Sequence, residues 1–251
     1  MNEPCIEFRR VSKSFGSQSV LVDIDLAIQR GLVTAIIGRS GIGKSVLLKH
    51  VVGLHVPDTG EVLYHGRTLS GMTRGERRRI KRRISYMFQH MALFDSMTVY
   101  ANIALPLQEH DRMAKDDVHD RVMQKIRQLE LEDIPEKFPS QISGGMQKRV
   151  ALARALVTEP EIVLFDEPTT GLDPIRKNSV HKMISEYQQR FNFTAVLVSH
   201  DIPDVFGVAQ RVAMLEAGRI VFDGSSDQIV HSSNELVQRF LNGQPLTGQA
   251  V

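Results

Sequence analysis

Eight consecutive residues, Gly38-Arg39-Ser40-Gly41-Ile42-Gly43-Lys44-Ser45, carry the first chemical signal, because they fit the pattern G-x-x-x-x-G-K-[ST]. Glycines at these places let successive backbone N–H groups turn inward around phosphate oxygens, and a helix opening near Lys44 adds the positive end of its dipole. Lys44 would neutralise the β- and γ-phosphates of a nucleoside triphosphate, and Ser45 would hold Mg²⁺. A second signal is Ile162-Val163-Leu164-Phe165-Asp166-Glu167, an apolar run that ends in two carboxylates. On a strand of an open α/β sheet they would arrive at the carboxyl edge, where ligands bind. Asp166 suits the Mg²⁺ shell, and Glu167 is the candidate general base that polarises the attacking water. An apolar strand that ends in Asp-Glu is often only a solvated strand end; behind a phosphate loop it reads as chemistry.

These two signals suit any P-loop NTPase, and a third narrows the choice. In Ile142-Ser143-Gly144-Gly145-Met146-Gln147-Lys148-Arg149 a small Ser-Gly-Gly turn opens a helix with Val150, Leu152, Ala153 and Leu156 on one face. By itself this is a capped helix with a second anion-seeking N-terminus. In sequence it resembles the signature of the ABC family, and the likeness extends from about Ile6 to Gly224. What the resemblance implies is a nucleotide held by Phe15 stacked on adenine and by Gly38, Arg39, Ser40, Gly41, Ile42, Gly43, Lys44, Ser45 and Val46. It further implies Mg²⁺ held by Ser45, Gln89 and Asp166, with Glu167 and His200 as the catalytic pair. Ser143, Gly144, Gly145 and Asp173 would close over the nucleotide of a second copy, making a homodimer with ATP at its interface. Ser199-His200-Asp201 is not read as a hydrolase triad, since sequence neighbours do not generally converge in space.

Within that family two departures stand out: Met146 where ordinary members have Gln, and Val46 where a Thr or Ser follows Lys44-Ser45. With Ala92-Leu93-Phe94-Asp95-Ser96-Met97-Thr98-Val99 and the ending Val237-Gln238-Arg239-Phe240-Leu241-Asn242-Gly243, they are similar to the ATPase subunits of Mla/Mce-type lipid transporters. That likeness implies a membrane permease as partner, an MCE-domain substrate-binding protein beyond it, and a small STAS-domain protein on the ATPase. The cargo would be phospholipid moved between inner and outer membranes, with this chain peripheral on the cytoplasmic face of the inner membrane. Alternatives are the ATPase of a small-solute importer, told apart by its permease, and a soluble ABC ATPase without one.

The elements that must position these residues follow from periodicity. Ile6–Val11, Val20–Ile28 (with Val22, Ile24, Leu26 and Ile28 alternating) and Val33–Ile37 read as strands. The last, bounded by Gly31 and Gly38, suits a strand buried on both faces. A helix is expected over Lys44–Leu54, ending in a turn at Pro57–Gly60, and helical segments without strands over Thr98–Glu159, including Lys115–Glu130. Strands return at Ile162–Phe165 and Ala195–Ser199 around a helix Ile175–Arg190. A hairpin Arg211–Glu216 and Arg219–Asp223 and a helix Asp227–Leu241 follow. The expected fold is α/β: a P-loop NTPase (RecA-like) core with an N-terminal antiparallel β subdomain and an inserted helical lobe. The core would take 1–89 and 160–230, the lobe 90–159, and a C-terminal helix and tail 231–251.

Bulk properties set limits rather than functions. With 42% hydrophobic and 24% charged residues among 251, the chain has ordinary globular composition, and its formal net charge of +2 selects no nucleic-acid partner. Its single Cys5 leaves no intramolecular disulfide, and no apolar run approaches a membrane span, so the cytosol is the expected compartment. The dense basic run Arg74, Arg77, Arg78, Arg79, Lys81, Arg82, Arg83 reads as a solvated helix, with a patch for anionic lipid or nucleic acid as the alternative. No interleaved aromatics support single-strand binding. Leu93, Phe94, Met97 and Val99 suit either a docking groove for a permease helix or the core of the lobe.

Overall fold

The computed structural model describes residues 4–87, 92–110 and 113–244; the expectation for Gln89 lies outside them. The chain opens with β1 (Pro4–Phe15) and β2 (Gln18–Gln29), antiparallel neighbours. Leu21 rather than Val22 enters the core from β2, because a register shift places Asp23 in the left-handed region (φ 48°) and reverses the alternation there. β3 (Val33–Ile37) is buried at every residue. It leads through the phosphate loop into α1 (Lys44–Val51), which is shorter than its apolar spacing suggests. Gly53 (φ 65°) stops it: the Gly53 N–H donates to His50 O and the Leu54 N–H to Lys49 O, a paired closure that leaves Leu54 on the surface.

The segment expected to be only a turn runs straight into β4 (Thr59–Tyr64) and then β5 (Arg67–Thr68), which complete a four-stranded antiparallel sheet in the order β2-β1-β4-β5. Alternation is hidden there by Gly60 and Glu61. Next come α2 (Arg74–Lys81), with the Thr73/Glu76 capping box at its start, and β6 (Ile84–Met87). The helical lobe holds α3 (Val99–His110), α4 (Lys115–Gln128) and α5 (Gly144–Leu156). After it, β7 (Ile162–Asp166), α6 (Pro174–Phe191) and β8 (Thr194–Ser199) resume the β-then-helix order. The hairpin β9 (Arg211–Glu216) and β10 (Arg219–Ser225) follows.

The C-terminal helix divides in two: α7 (Ser226–Val230) and α8 (Glu235–Leu241). Local polar bonds make the break. Asn234 accepts from the Leu236 N–H as a new cap, and the Gln238 amide donates to Ser232 O at 2.8 Å across the turn.

β3, β6, β7, β8 and β9 run parallel, and β10 closes one edge antiparallel, in the order β10-β9-β3-β8-β7-β6. One apolar cluster fills the space between the antiparallel sheet, α1 and one face of this sheet. On the other face a second cluster extends without interruption from Val33, Phe165 and Leu197 into Ile103, Val122 and Leu152 of the lobe. The lobe therefore shares its core with the sheet.

Of the apolar group after Gln89, Val99 is fully buried and Leu93 packs on the core, whereas Phe94 is exposed. Asn102 shapes this loop. Fully buried, it accepts from the Phe94 N–H at 2.9 Å and donates to Phe94 O at 3.0 Å and to Met97 O and Thr98 O at 3.1 Å. Replacement by Leu orphans these backbone groups, at about 1–3 kcal/mol for each that stays buried. Asn102→Leu is expected to lower the denaturation midpoint measurably, and its amide exchange is expected to quicken first over residues 93–98. An unchanged midpoint would contradict the role given to this side chain.

Candidate active site

The carboxyl ends of β3, β8 and β7 lie side by side, with Ile37 opposite Ser199 and Val198 opposite Asp166. This one edge gathers the phosphate loop after β3, Asp166 and Glu167 from β7, and His200 after β8. The loop itself is tightly enclosed. At Gly38 (φ 152°) a Cβ would stand 2.4 Å from the Leu215 carbonyl oxygen on β9, and at Gly43 (φ 112°) 2.8 Å from Val20 Cγ1 on β2. A side chain at Gly38 would displace the β9 backbone, and one at Gly43, in a backbone conformation that L residues rarely adopt, would displace the Val20 side chain. Arg39, Ser40 and Gly41 are exposed at the crest of the loop, while Ile42 and Val46 pack against the apolar cluster around α1.

Lys44 is 3% exposed, and its Nζ donates to the carbonyls of Gly38 and Arg39, both at 2.9 Å. Burial lowers its pKa, opposed by the Glu167 carboxylate, whose Oε1 lies 3.5 Å away. The Ser45 hydroxyl donates to Asp166 Oδ1 at 2.7 Å, and the Tyr86 hydroxyl on β6 donates to Asp166 Oδ2 at 2.6 Å. Asp166 is thus fixed through both oxygens. Desolvation and the adjoining carboxylate raise the Tyr86 pKa, so its hydroxyl stays a donor.

Glu167 occupies the left-handed region (φ 50°), a conformation that costs a non-glycine residue of order 1–3 kcal/mol. The turn so made carries its carboxylate to Lys44 on one side and to His200 Nδ1, 3.5 Å from Oε2, on the other. Thr170 Oγ1 also donates to Oε2, at 3.0 Å. Behind this turn Asp201 accepts from Thr169 Oγ1 and from Lys177 Nζ, tying the segment after Glu167 to the segment after His200 and to α6. Tyr86, Thr169, Thr170 and Lys177 escaped sequence reasoning, which met Asp201 only in a triad it did not read as catalytic. Only proximity in the fold singles them out.

Other expected residues lie apart. Ser143 caps α5 through the Met146 N–H, and Asp173 caps α6 through the Arg176 N–H, which lowers the Asp173 pKa. Among the described residues Ser143, Gly144 and Gly145 form no hydrogen bond or ion pair with 38–45. Phe15 is half-exposed at the end of β1, edge-on to His55 with ring centroids 5.2 Å apart and with Lys13 Nζ 5.6 Å from its centroid.

The donor set fits Mg²⁺: a hydroxyl and a carboxylate are hard oxygen ligands, and Mg²⁺ commonly takes one or two protein ligands and completes its shell with phosphates and water. Among the described residues no cluster of three or more His, Cys, Asp or Glu forms an all-protein metal cage. No helix of the described residues is long and apolar enough to cross a membrane.

Known proteins share this sequence pattern and fold. The family model described as ABC transporter matches residues 21–170, more than half of the chain. The intermembrane phospholipid transport system ATP-binding protein MlaF of Escherichia coli K12 is 39% identical over 238 residues, 95% of this chain and 88% of that protein. The probable ribonucleotide transport ATP-binding protein mkl of Mycobacterium tuberculosis H37Rv is 38% identical over 95% of this chain and 67% of its own length. Among solved structures, cbiO1 of Clostridium perfringens, part of the ABC transporter complex cbiONQ, aligns with a TM-score of 0.83 at 26% identity, covering 96% of each chain. An ATP-binding cassette in a dimeric post-hydrolysis state with ADP and Pi aligns at 0.74 and 30% identity, over 88% of this chain and 98% of that one. The chain belongs to the ABC transporter family, as one of its Mg-ATP-binding, ATP-hydrolysing subunits.

Proposed function

We propose that this ATPase energises a membrane permease that moves phospholipid between two membranes, and that Glu167 is its catalytic base. The observation that carries the chemistry is the placement of Glu167 between Lys44 and His200, one residue beyond an Asp166 held by Ser45 and Tyr86. Lys44 and the loop amides 38–45 bind the terminal phosphates, where the ammonium exchanges its carbonyl partners for phosphate oxygens. Ser45 and Asp166 hold Mg²⁺, which when bound spreads the negative charge of the phosphates. Glu167 takes a proton from the attacking water as its oxygen bonds to the γ-phosphorus and the bond to the β–γ bridging oxygen breaks. His200 orients Glu167 and the γ-phosphate, and Phe15 offers a face to the adenine.

Each chain holds half of the contacts. Ser143, Gly145 and Asp173 cap their own helices, and in this reading they meet the γ-phosphate held by a second copy, so that closure of a homodimer follows nucleotide binding and reopening follows hydrolysis. The lobe from Thr98 onward carries that motion to the permease. Phospholipid as cargo rests on the 39% identity to MlaF over most of both chains, together with Val46 and Met146. An MCE-domain and a STAS-domain protein complete the proposed assembly, on the cytoplasmic face of the inner membrane. The 38% identity to a ribonucleotide-transport ATPase supports a different cargo, and the permease recovered with the chain tells the two apart.

The test is ATP turnover by the subunit purified from membranes with its native partners, with mass spectrometry of the copurified proteins and lipids. Glu167→Gln is expected to reduce turnover by about 10²-fold or more. Recovery of an MCE protein and phospholipid supports the cargo, a solute permease without them replaces it, and unchanged turnover removes Glu167 as the base. Tyr86→Phe is expected to raise the Mg²⁺ concentration for half-maximal turnover by about 10-fold, because it frees the carboxylate that Tyr86 orients. An unaltered Mg²⁺ titration would show that Ser45 alone suffices to hold Asp166.

A further inference from the structure

At the end of α1 remote from the phosphate loop lies a groove of about 830 Å³, walled by the end of α1, the connection to β4, and α2. Its size is that of a site for one small molecule. Val51, Val62, Leu69 and Ile80 make its inner lining apolar, and Val56, 69% exposed, stands at its lip. Such a lining calls for a hydrophobic occupant. The facing wall is different. Arg74, Arg77, Arg78 and Lys81 all line the groove, and their spacing of three and four residues makes one stripe along α2. Like charges at that spacing repel, yet none of the four has an ion pair among the described residues. Glu61 is the single acidic residue in the groove.

A second observation comes from His50, which also contributes to the wall and is 1% exposed. Its Nδ1 lies 2.8 Å from the Val46 carbonyl, which can only accept, so Nδ1 carries the proton and Nε2 is left as an acceptor. Nε2 is buried and has no hydrogen-bond partner. Burial, with His55 and Lys13 adding to it, lowers the His50 pKa and keeps the ring neutral. Behind the wall therefore lies a buried hydrogen-bond acceptor without a donor, on a ring that adds no further cation to this end of α1.

We propose that this groove binds a single-chain anionic amphiphile: an acyl chain along the apolar lining and a phosphate-type head group on the Arg74–Lys81 stripe. The chain answers the apolar lining and the head group answers the unpaired stripe. The volume suits one small molecule, the lining disfavours a bare inorganic anion, and the stripe disfavours an uncharged lipid. The basic stripe lies at the end of α1 opposite the phosphate loop, while His55 at the groove's edge meets Phe15, so the two sites adjoin only on the adenine side; the proposal does not depend on which cargo the permease carries.

The probe is 1-oleoyl lysophosphatidic acid, kept below its micellar concentration and titrated calorimetrically into the full chain, with oleoyl lysophosphatidylcholine and glycerol 3-phosphate as partial ligands. Expected is saturable binding of one lysophosphatidic acid per chain, undisturbed by saturating Mg-ATP and weakened by salt. Both partial ligands and the double variant Arg74→Glu/Arg78→Glu should bind at least about tenfold more weakly, since each forfeits charge-assisted or apolar contacts. Val56→Asp, at the lip, should weaken the lipid without altering far-UV circular dichroism or basal turnover. Equal affinity for lysophosphatidylcholine would overturn the proposal by removing the head-group specificity. Equal affinity for glycerol 3-phosphate would reduce the groove to an anion site. Displacement by Mg-ATP, or equally tight binding of a single-stranded oligonucleotide lost in the same double variant, would also overturn it.

Discussion

The structure depends on how closely the backbone of residues 38–45 passes two other strands. Gly38 lies against the Leu215 carbonyl of β9, and Gly43 lies against Val20 of β2, at separations that leave no room for a Cβ. Both sheets are therefore referenced to the same loop. The parallel sheet fixes where the loop leaves β3, and the antiparallel sheet fixes where it enters α1. A hydrogen bond from the Val22 N–H to Gly218 O at 2.7 Å joins the sheets again beside this crossing. Positional precision at the phosphates is thus a property of the two sheets together.

From this reference the charges fall into an order. Lys44, buried, is held by two backbone carbonyls and balanced by Glu167. Asp166 engages Ser45 and Tyr86, which leaves Glu167 as the carboxylate at this edge that faces both a cation and an imidazole. Two adjacent carboxylates thereby acquire different surroundings, the condition under which one can serve a metal and the other a proton. The left-handed backbone at Glu167 enforces the division, because an extended residue there would continue the strand instead of turning its side chain back over the loop.

Much of this was legible because it is contiguous. Strands β3 and β9 have the limits their apolar runs suggest, and the phosphate loop, the Asp-Glu pair and the Ser-Gly-Gly turn each occupy a few consecutive residues whose chemistry does not depend on distant partners. What was hidden is either irregular or non-local. The shift in β2 exchanges Val22 for Leu21, the closure at Gly53 trims α1, and the cap at Asn234 divides the final helix. In each case one polar or glycine contact outweighs a longer apolar pattern. Tyr86 and Asp201 act across 80 and 32 residues of sequence, and no spacing rule reaches that far.

The apolar cluster that runs from β3, β7 and β8 into α3, α4 and α5 has a bearing on how such a protein diversifies. A lobe that owned its core could be exchanged between relatives as a cassette. Here, transplanting it would require matched substitutions on the face of the sheet, so exchange is obstructed at the level of packing. The loop clamped by Asn102 is under less restriction: Asn102 and Arg154 hold its backbone from within, while Phe94 faces outward. A change of docking partner therefore has its easiest path through the surface residues of that loop, with the engine beneath it inherited intact.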